Sequence, residues 1–279
     1  MVSLVSEREP ELDPAASALL GTDAERLSGL AQLQPYSSRG PWLDSDSVAL
    51  LDVAADGGRV GRFQRAGKAG ALAVLGEAGL MDPGGRLTPE GLSVTAPLSG
   101  NRAALKLESS FGGRSAGMQV LMNEQDAMLL AGPSHAELTG PEPEQHREML
   151  QLDLVGLNDL FPALAAWLGI GPAWTVPAAP VTVPVATLNR RLAAPEEPVP
   201  TADPSWVRMW NQPWFLWHVA DAYDPGENTG WGYIGAGTAG HFRVVVDGEA
   251  ATITPTQSSR VYRELMDAVE GALLRGSGS

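Results

Sequence analysis

The last third of the chain is written as a run of short strands closed by one amphipathic helix, and that order narrows the folds open to it. The runs PWFLWHVADAY, TGWGYIGAG, GHFRVVVDG and EAATITP are dense in β-branched and aromatic residues. Turn signals at Asp224-Pro225-Gly226 and Asp247-Gly248 separate them, which is the pattern of consecutive antiparallel strands. In TQSSRVYRELMDAVEGALL, the residues Val261, Leu265, Ala268, Val269, Ala272 and Leu273 recur at helical spacing on one face. A weaker copy of this ending stands mid-chain. There the strand-like REMLQLDLVG is followed by NDLFPALAAWLG, with Leu157, Leu160, Phe161, Leu164, Ala165 and Leu168 on one face. Two halves that each end strand-then-helix predict a duplicated α+β fold with a central antiparallel sheet and helices packed on it.

The boundaries follow from that repeat. Residues 1–41 read as a polar leader with a helical candidate at 15–33. Residues 42–170 make the first α+β half and 171–276 the second half of the same globular unit, with 277–279 as a linker-like tail. Within the first half, residues 46–54 read as a buried strand or a short helix. Residues 59–78 read as one helix with a left-handed cap at Gly79, and Thr88-Pro89 as a helix start. Strands are expected at 102–111, 117–123 and 127–130, with another at 135–138. The next helix takes Asn158 as its N-cap, which leaves Pro162 near the first turn. In the second half a helix is expected at 185–192, then a proline-rich spacer, then tryptophan-dense strands.

The 279 residues carry a formal charge of −14, which repels phosphate backbones and anionic lipid, so neither nucleic acid nor a membrane is an expected partner. There is no cysteine, which removes disulfides, thiolate metal sites and cysteine nucleophiles and suits a reducing cytosol. No secretory signal or spanning segment is read, and a cytoplasmic location is expected.

Catalytic motifs are weak. Gly235, Gly237 and Gly240 match the dinucleotide fingerprint G-x-G-x-x-G, which needs a strand before it and a helix after it. Here HFRVVVDG follows and reads as a strand, so a hairpin loop is the favoured reading and a dinucleotide-dependent oxidoreductase the alternative. GLMDPGGRLTPEGL suggests a winged-helix unit, with Arg59, Arg62, Arg65, Lys68 and Arg86 as its local positive charge. An acidic winged-helix regulator is therefore a further alternative. His135, His146, His218 and His241 show no metal spacing, no G-x-S-x-G elbow exists, and His218 reads as a packed core histidine. No enzyme activity, cofactor or metal is expected. Trp206, Trp210, Trp214, Phe215 and Trp217 are the candidate partner-binding residues, because tryptophan is enriched at interface hot spots, although core packing is the blander reading.

AVLGEAGLMDPGGRLTPEG, the segment PVTVPVATLNRRLA and the ending GWGYIGAGTAGHFRVVVDGEAATITPTQSSRVYRELMDAV together resemble the EspG family, cytosolic chaperones of actinobacterial type VII (ESX) secretion. The resemblance runs from about residue 59 onward. It implies a quasi-two-fold α+β fold and a protein client, namely a secretion substrate whose apolar helical tip the chaperone shields. The client's identity and the oligomeric state are left open. The family's second half carries a pair of helices before its strands; with 193–204 rich in proline, the second of the pair is expected to be missing here. The duplication further implies that Leu164→Ala and Leu265→Ala destabilise strongly and that Glu264→Ala, on an outer face, does little.

Overall fold

In the computed structural model, which describes residues 34–100, 103–140, 146, 148–176, 178–221 and 231–276, the strands order themselves as a palindrome. The first half supplies β1 (Trp42–Leu43), β2 (Ala103–Phe111), β3 (Arg114–Met122), β4 (Asp126–Ala131) and β5 (Leu150–Gly156). The second supplies β6 (Val181–Pro184), β7 (Phe215–Asp221), β8 (Trp231–Gly235), β9 (His241–Asp247) and β10 (Ala250–Thr256). They form one antiparallel sheet in the order β1-β5-β4-β3-β2-β7-β8-β9-β10-β6. Each strand of one half has its counterpart five places on in the other, and the β2–β7 ladder lies on the axis between them. The fold is α+β, as the repeat implied. The leader candidate at 15–33, the Asp224-Pro225-Gly226 turn and the 277–279 tail lie outside the described residues.

Turn chemistry fixes the registers. Gly112 and Gly113, at φ 55° and 78°, close the β2–β3 hairpin as a two-residue turn that needs φ > 0 twice. The Asn123 carboxamide oxygen accepts from the amides of Gln125 and Asp126, both at 2.8 Å, and turns β3 into β4.

Helices cover the sheet in layers. On one face lie α1 (Ser45–Gly57), α2 (Arg62–Arg65), α3 (Ala69–Glu77) and α4 (Pro89–Ser99), which pack over the first half. Residues 46–54 are thus helical: Asp44 caps α1 by accepting from Ser47 N at 2.7 Å, and Leu50, Leu51 and Ala54 are buried. The single helix expected at 59–78 is broken. Arg59 instead bridges Arg86, Gly67 takes φ 81°, and the chain restarts at α3. At the end of α3, Gly79 takes φ 71° and Leu80 N donates to Leu75 O, a left-handed cap with its two leucines buried together. Thr88 caps α4 through Gly91 N, with Pro89 at its first position.

On the opposite face lie α5 (His135–Thr139), α6 (Leu157–Leu168) and α9 (Ser258–Gly276). Residues 135–138 are therefore helix rather than strand. Glu137 accepts from both the amide and the hydroxyl of Ser134, and that capping box outweighs the short apolar run. Helix α6 begins at Leu157 after Gly156, not at an Asn158 cap, so Pro162 falls inside the helix. Leu160, Leu164, Trp167 and Leu168 are buried, and Trp167 Nε1 donates to Gly132 O at 2.9 Å. Val261, Leu265, Val269 and Ala272 of α9 are buried against Leu105, Leu107, Phe215 and Trp217.

The helices break the strand symmetry. Helix α6 packs on β5 and β4, whereas α9 packs on β2 and β7, over the axis. Strict equivalence would put α9 over β10 and β9. The residues there explain the shift: Arg243, Val245, Thr252, Thr254 and Thr182 share that face, and Thr182 and Thr252 join hydroxyls at 3.1 Å. A polar surface of this kind offers a helix far less than Phe215, Trp217 and Tyr233 do.

Over the second half, on the face of α1–α4, lie α7 (Val185–Ala193) and α8 (Pro204–Trp210). The pair of helices is thus present, though α8 is short. Asp203 caps it through Ser205 N at 2.8 Å, and Pro204 holds its first position.

Candidate functional site

The central strands are covered on one face and open on the other. Leu105 and Leu107 of β2 and Phe215 and Trp217 of β7 are buried under α9. The intervening residues of the same strands point the other way, into the gap between α1–α4 and α7–α8. There Lys106 is 59% exposed, Glu108 44% and His218 39% at the side chain. Gln119 and Ser115 of β3 stand opposite Lys106 and Ser110 and are exposed as well.

Lys106 Nζ lies 2.5 Å from Glu108 Oε1, and His218 Nε2 lies 3.3 Å from Glu108 Oε2 across the ladder. The hydrogen bond from Lys106 holds the Glu108 carboxyl below its ordinary range, against a smaller opposing effect of burial. His218 is therefore a half-exposed partner of Glu108, not a packed core histidine; β7 is central, but its second face is left open. At one end the strip runs into a cavity of about 330 Å³ between the Gly112-Gly113 hairpin and α7, lined in part by Arg191, Leu192, Pro195, Trp214 and Leu216.

The five aromatic residues expected to bind a partner are all buried. Trp206, Trp210, Trp214, Phe215 and Trp217 are 4%, 1%, 5%, 3% and 3% exposed. Trp206 and Trp210 stand on α8 rather than on a strand, and their indole N–H groups donate to Ala179 O and Glu197 O. Trp214 donates to Met209 O at 3.0 Å, and Arg191 stacks over its ring at 4.4 Å while donating to Trp210 O and Gln212 O. Trp217 stacks on Tyr233, and the His135 ring meets Phe215 edge-on. These rings build the walls and core beneath the strip. Only Trp214, at the end cavity, lines the open side.

Gly235, Gly237 and Gly240 sit in the β8–β9 connection, where a short helical turn at Gly237–Ala239 leads into a strand. The strand–glycine–helix arrangement that presents amides to a pyrophosphate is not formed here. The three glycines line a second cavity, of about 220 Å³, with His135 and His241. Burial lowers the pKa of both histidines, and His241 lowers His135 further. His241 Nε2 donates to Gly171 O at 3.2 Å. Among the described residues no group of three His, Cys, Asp or Glu is placed to hold a metal ion, and no helix is long and apolar enough to cross a membrane.

The strip itself was not foreseen. The alternation Lys106, Glu108, Ser110 within ALKLESSF was the signal available, since it marks one polar face on a strand whose other face is apolar.

No protein-family model matches the chain, and no curated protein matches it. Among solved structures it is similar to the Mycobacterium tuberculosis type VII secretion system chaperone EspG5, determined in complex with the PE25–PPE41 dimer. The identity is 10%, the match covers 82% of this chain and 95% of that one, and the TM-score is 0.48. That protein belongs to the family whose motifs this sequence resembles.

Proposed function

We propose that this chain is a non-enzymatic, EspG-like chaperone that binds a helical segment of a type VII secretion substrate along the open strip over β2 and β7. One observation carries the reading: the same two strands are sealed on one face and, at Lys106, Glu108 and His218, open to solvent on the other, between two helical walls. An α-helix with its side chains is about 10–12 Å across. Two to three strand spacings of about 4.8 Å each give a strip of that width. Its floor offers Lys106, Glu108, Gln119 and His218 as donors and acceptors, and its end cavity offers apolar walls at Leu192 and Leu216. A helix that is polar along its length and apolar at its tip matches that lining. The sequence motifs that resemble the EspG family support the same reading, and the acidic charge speaks for a protein client over nucleic acid or membrane. On this reading the chaperone acts in the cytoplasm.

The test is co-expression with candidate type VII substrates from the same locus, followed by size-exclusion chromatography. Co-elution is expected, and it should be lost in a Lys106→Glu/His218→Glu variant that melts like the parent. Failure of every candidate to co-elute would sink the chaperone reading. Co-elution that survives the double variant would move the site elsewhere.

A further inference from the structure

We propose that the knuckle formed by Arg59, Arg62, Phe63 and Arg86 is a second docking surface, remote in sequence from the open strip, and that it takes an acidic protein segment carrying an apolar side chain. Phe63 is 95% exposed, the most exposed large hydrophobic residue among those described. It stands on the four-residue helix α2, none of whose residues is buried, next to Val60, which is fully buried. The local backbone is well held. Val60 N donates to Gly85 O at 2.7 Å, Gly61 N donates to Gln64 Oε1 at 2.9 Å, and Arg65 Nη1 donates to Pro83 O at 3.5 Å. The fold therefore fixes Val60 inward and leaves the Phe63 ring in water.

The charges around it point to the occupant. The chain has 33 acidic and 19 basic side chains, so carboxylates are in excess over the chain as a whole. Even so, none of Arg59, Arg62, Arg65 and Arg86 forms an ion pair among the described residues, while neighbouring Lys68 does, with Asp46 at 3.1 Å. Asp82, in the same turn, is engaged with the Arg86 backbone amide at 2.9 Å. Arg59 and Arg86 are direct partners on an antiparallel bridge, and like charges directly opposite destabilise such a pair. At the base of the cluster Arg65 Nε is buried without a hydrogen-bond partner. Among the described residues Arg59 and Arg65 donate only to the carbonyls of Gly84 and Pro83, and none of the four has a carboxylate, so one ligand that brings carboxylates and an apolar side chain satisfies the arginines and the bare ring together.

A short acidic segment feels mainly this local field, because charges farther off than about 8 Å are screened at physiological salt. A duplex, with one charge about every 1.7 Å, would meet the rest of a surface at net charge −14 and offers Phe63 no apolar pocket. The protein segment is the better fit.

The probe is a short fluorescein-labelled peptide of alternating glutamate and leucine, titrated into the full-length protein and followed by anisotropy. Matched titrations use a glutamate–serine peptide, phosphatidylserine vesicles and a DNA duplex. Saturable binding of the first peptide is expected, weakening as salt rises. Phe63→Ser should reduce it roughly tenfold, and Arg62→Glu should abolish it. Both variants should melt like the parent, since both sites are exposed. No binding by the parent, equal binding of the serine peptide with no effect of Phe63→Ser, or preference for vesicles or duplex would each overturn the proposal. Because Lys106 and His218 lie outside the knuckle, a Lys106→Glu/His218→Glu variant should bind the peptide as the parent does, whatever the fate of the client reading.

Discussion

Glu108 of β2 and His218 of β7 stand directly opposite each other at the middle of the ladder that joins the two halves, with Oε2 and Nε2 3.3 Å apart. One residue comes from each half, and the approximate two-fold of the strand order passes between them. Both are open to solvent, where such pairs are worth about 0–1 kcal/mol. Glu108→Gln should therefore change stability in a denaturant titration by less than about 1 kcal/mol. On the proposed function it should nonetheless weaken capture of the client. A loss of several kcal/mol would show that the pair belongs to the core, and unchanged capture would detach it from the site.

The two capping helices give a sharper contrast. Leu164 and Leu265 are 0% and 1% exposed, so Leu164→Ala and Leu265→Ala should each cost roughly 2–5 kcal/mol. Glu264 does not sit on an idle outer face. Its carboxylate accepts from the buried Tyr233 hydroxyl and pairs with Arg260 Nε at 2.8 Å and Arg243 Nε at 3.5 Å. Burial raises the pKa of that carboxyl, and the hydrogen bonds from Tyr233 and Arg260 more than offset it, leaving it low. Glu264→Ala should thus cost about 1–3 kcal/mol, the range for stripping a partner from buried polar groups. Chemical denaturation of the three variants checks this, and a neutral Glu264→Ala would contradict the geometry.

The strands and the two closing helices were legible because their apolar residues keep period 2 or 3.6, and because Gly112-Gly113 and Asp247-Gly248 carry turn chemistry of their own. Helix α8 was not. PSWVRMW is too short to show a period, and its tryptophans imitate the aromatic density of a strand, although Asp203-Pro204 already spelled a cap and a first position. The open strip was legible only in part. ALKLESSF displays a polar face, but that His218 lies across from Glu108 depends on pairing two strands distant in sequence. The shift of α9 onto the axis was hidden for the same reason, since the threonines of β6 and β10 meet only once the sheet is assembled.

Acid should loosen the junction between the halves. With Nε2 donating to Gly171 O, neutral His241 leaves Nδ1 unprotonated, and that nitrogen is buried without a partner. Protonating it places a charge in an apolar site beside His135, so the folded-state pKa of each histidine lies below the ordinary 6.5. Below 6.5 the unfolded chain then binds more protons than the folded one. The histidine contribution to stability is therefore complete above that value and is lost as pH falls through it toward the folded-state pKa. Melting temperatures taken between about pH 7 and pH 5 should fall less steeply for His241→Gln, which can keep a donor to Gly171 without titrating. Parallel slopes for parent and variant would exclude His241 as the source.

The glycines of the β8–β9 hairpin separate a structural need from a nucleotide site. Gly240 adopts φ 87°, ψ −153°, a region essentially reserved for glycine, and an added Cβ would collide with the Trp174 carbonyl oxygen. Gly237 adopts φ 50°, and a Cβ there would come within 2.7 Å of Gln212 Oε1. Gly235 has neither constraint, since its nearest contact would be Phe215 O at an ordinary 3.7 Å. If the triplet serves only the hairpin, Gly240→Ala should be the most damaging, with about 1–3 kcal/mol for the backbone alone. Gly237→Ala should follow, and Gly235→Ala should stay within about 0.5 kcal/mol of the parent. A dinucleotide site predicts another ranking, in which each substitution weakens nicotinamide binding regardless of its strain. Thermal melts of the three variants with and without nicotinamide dinucleotides distinguish the two: no ligand-induced shift in the parent, together with the graded stability series, is the expected result. A saturable shift in the parent that Gly235→Ala removes would restore the nucleotide reading.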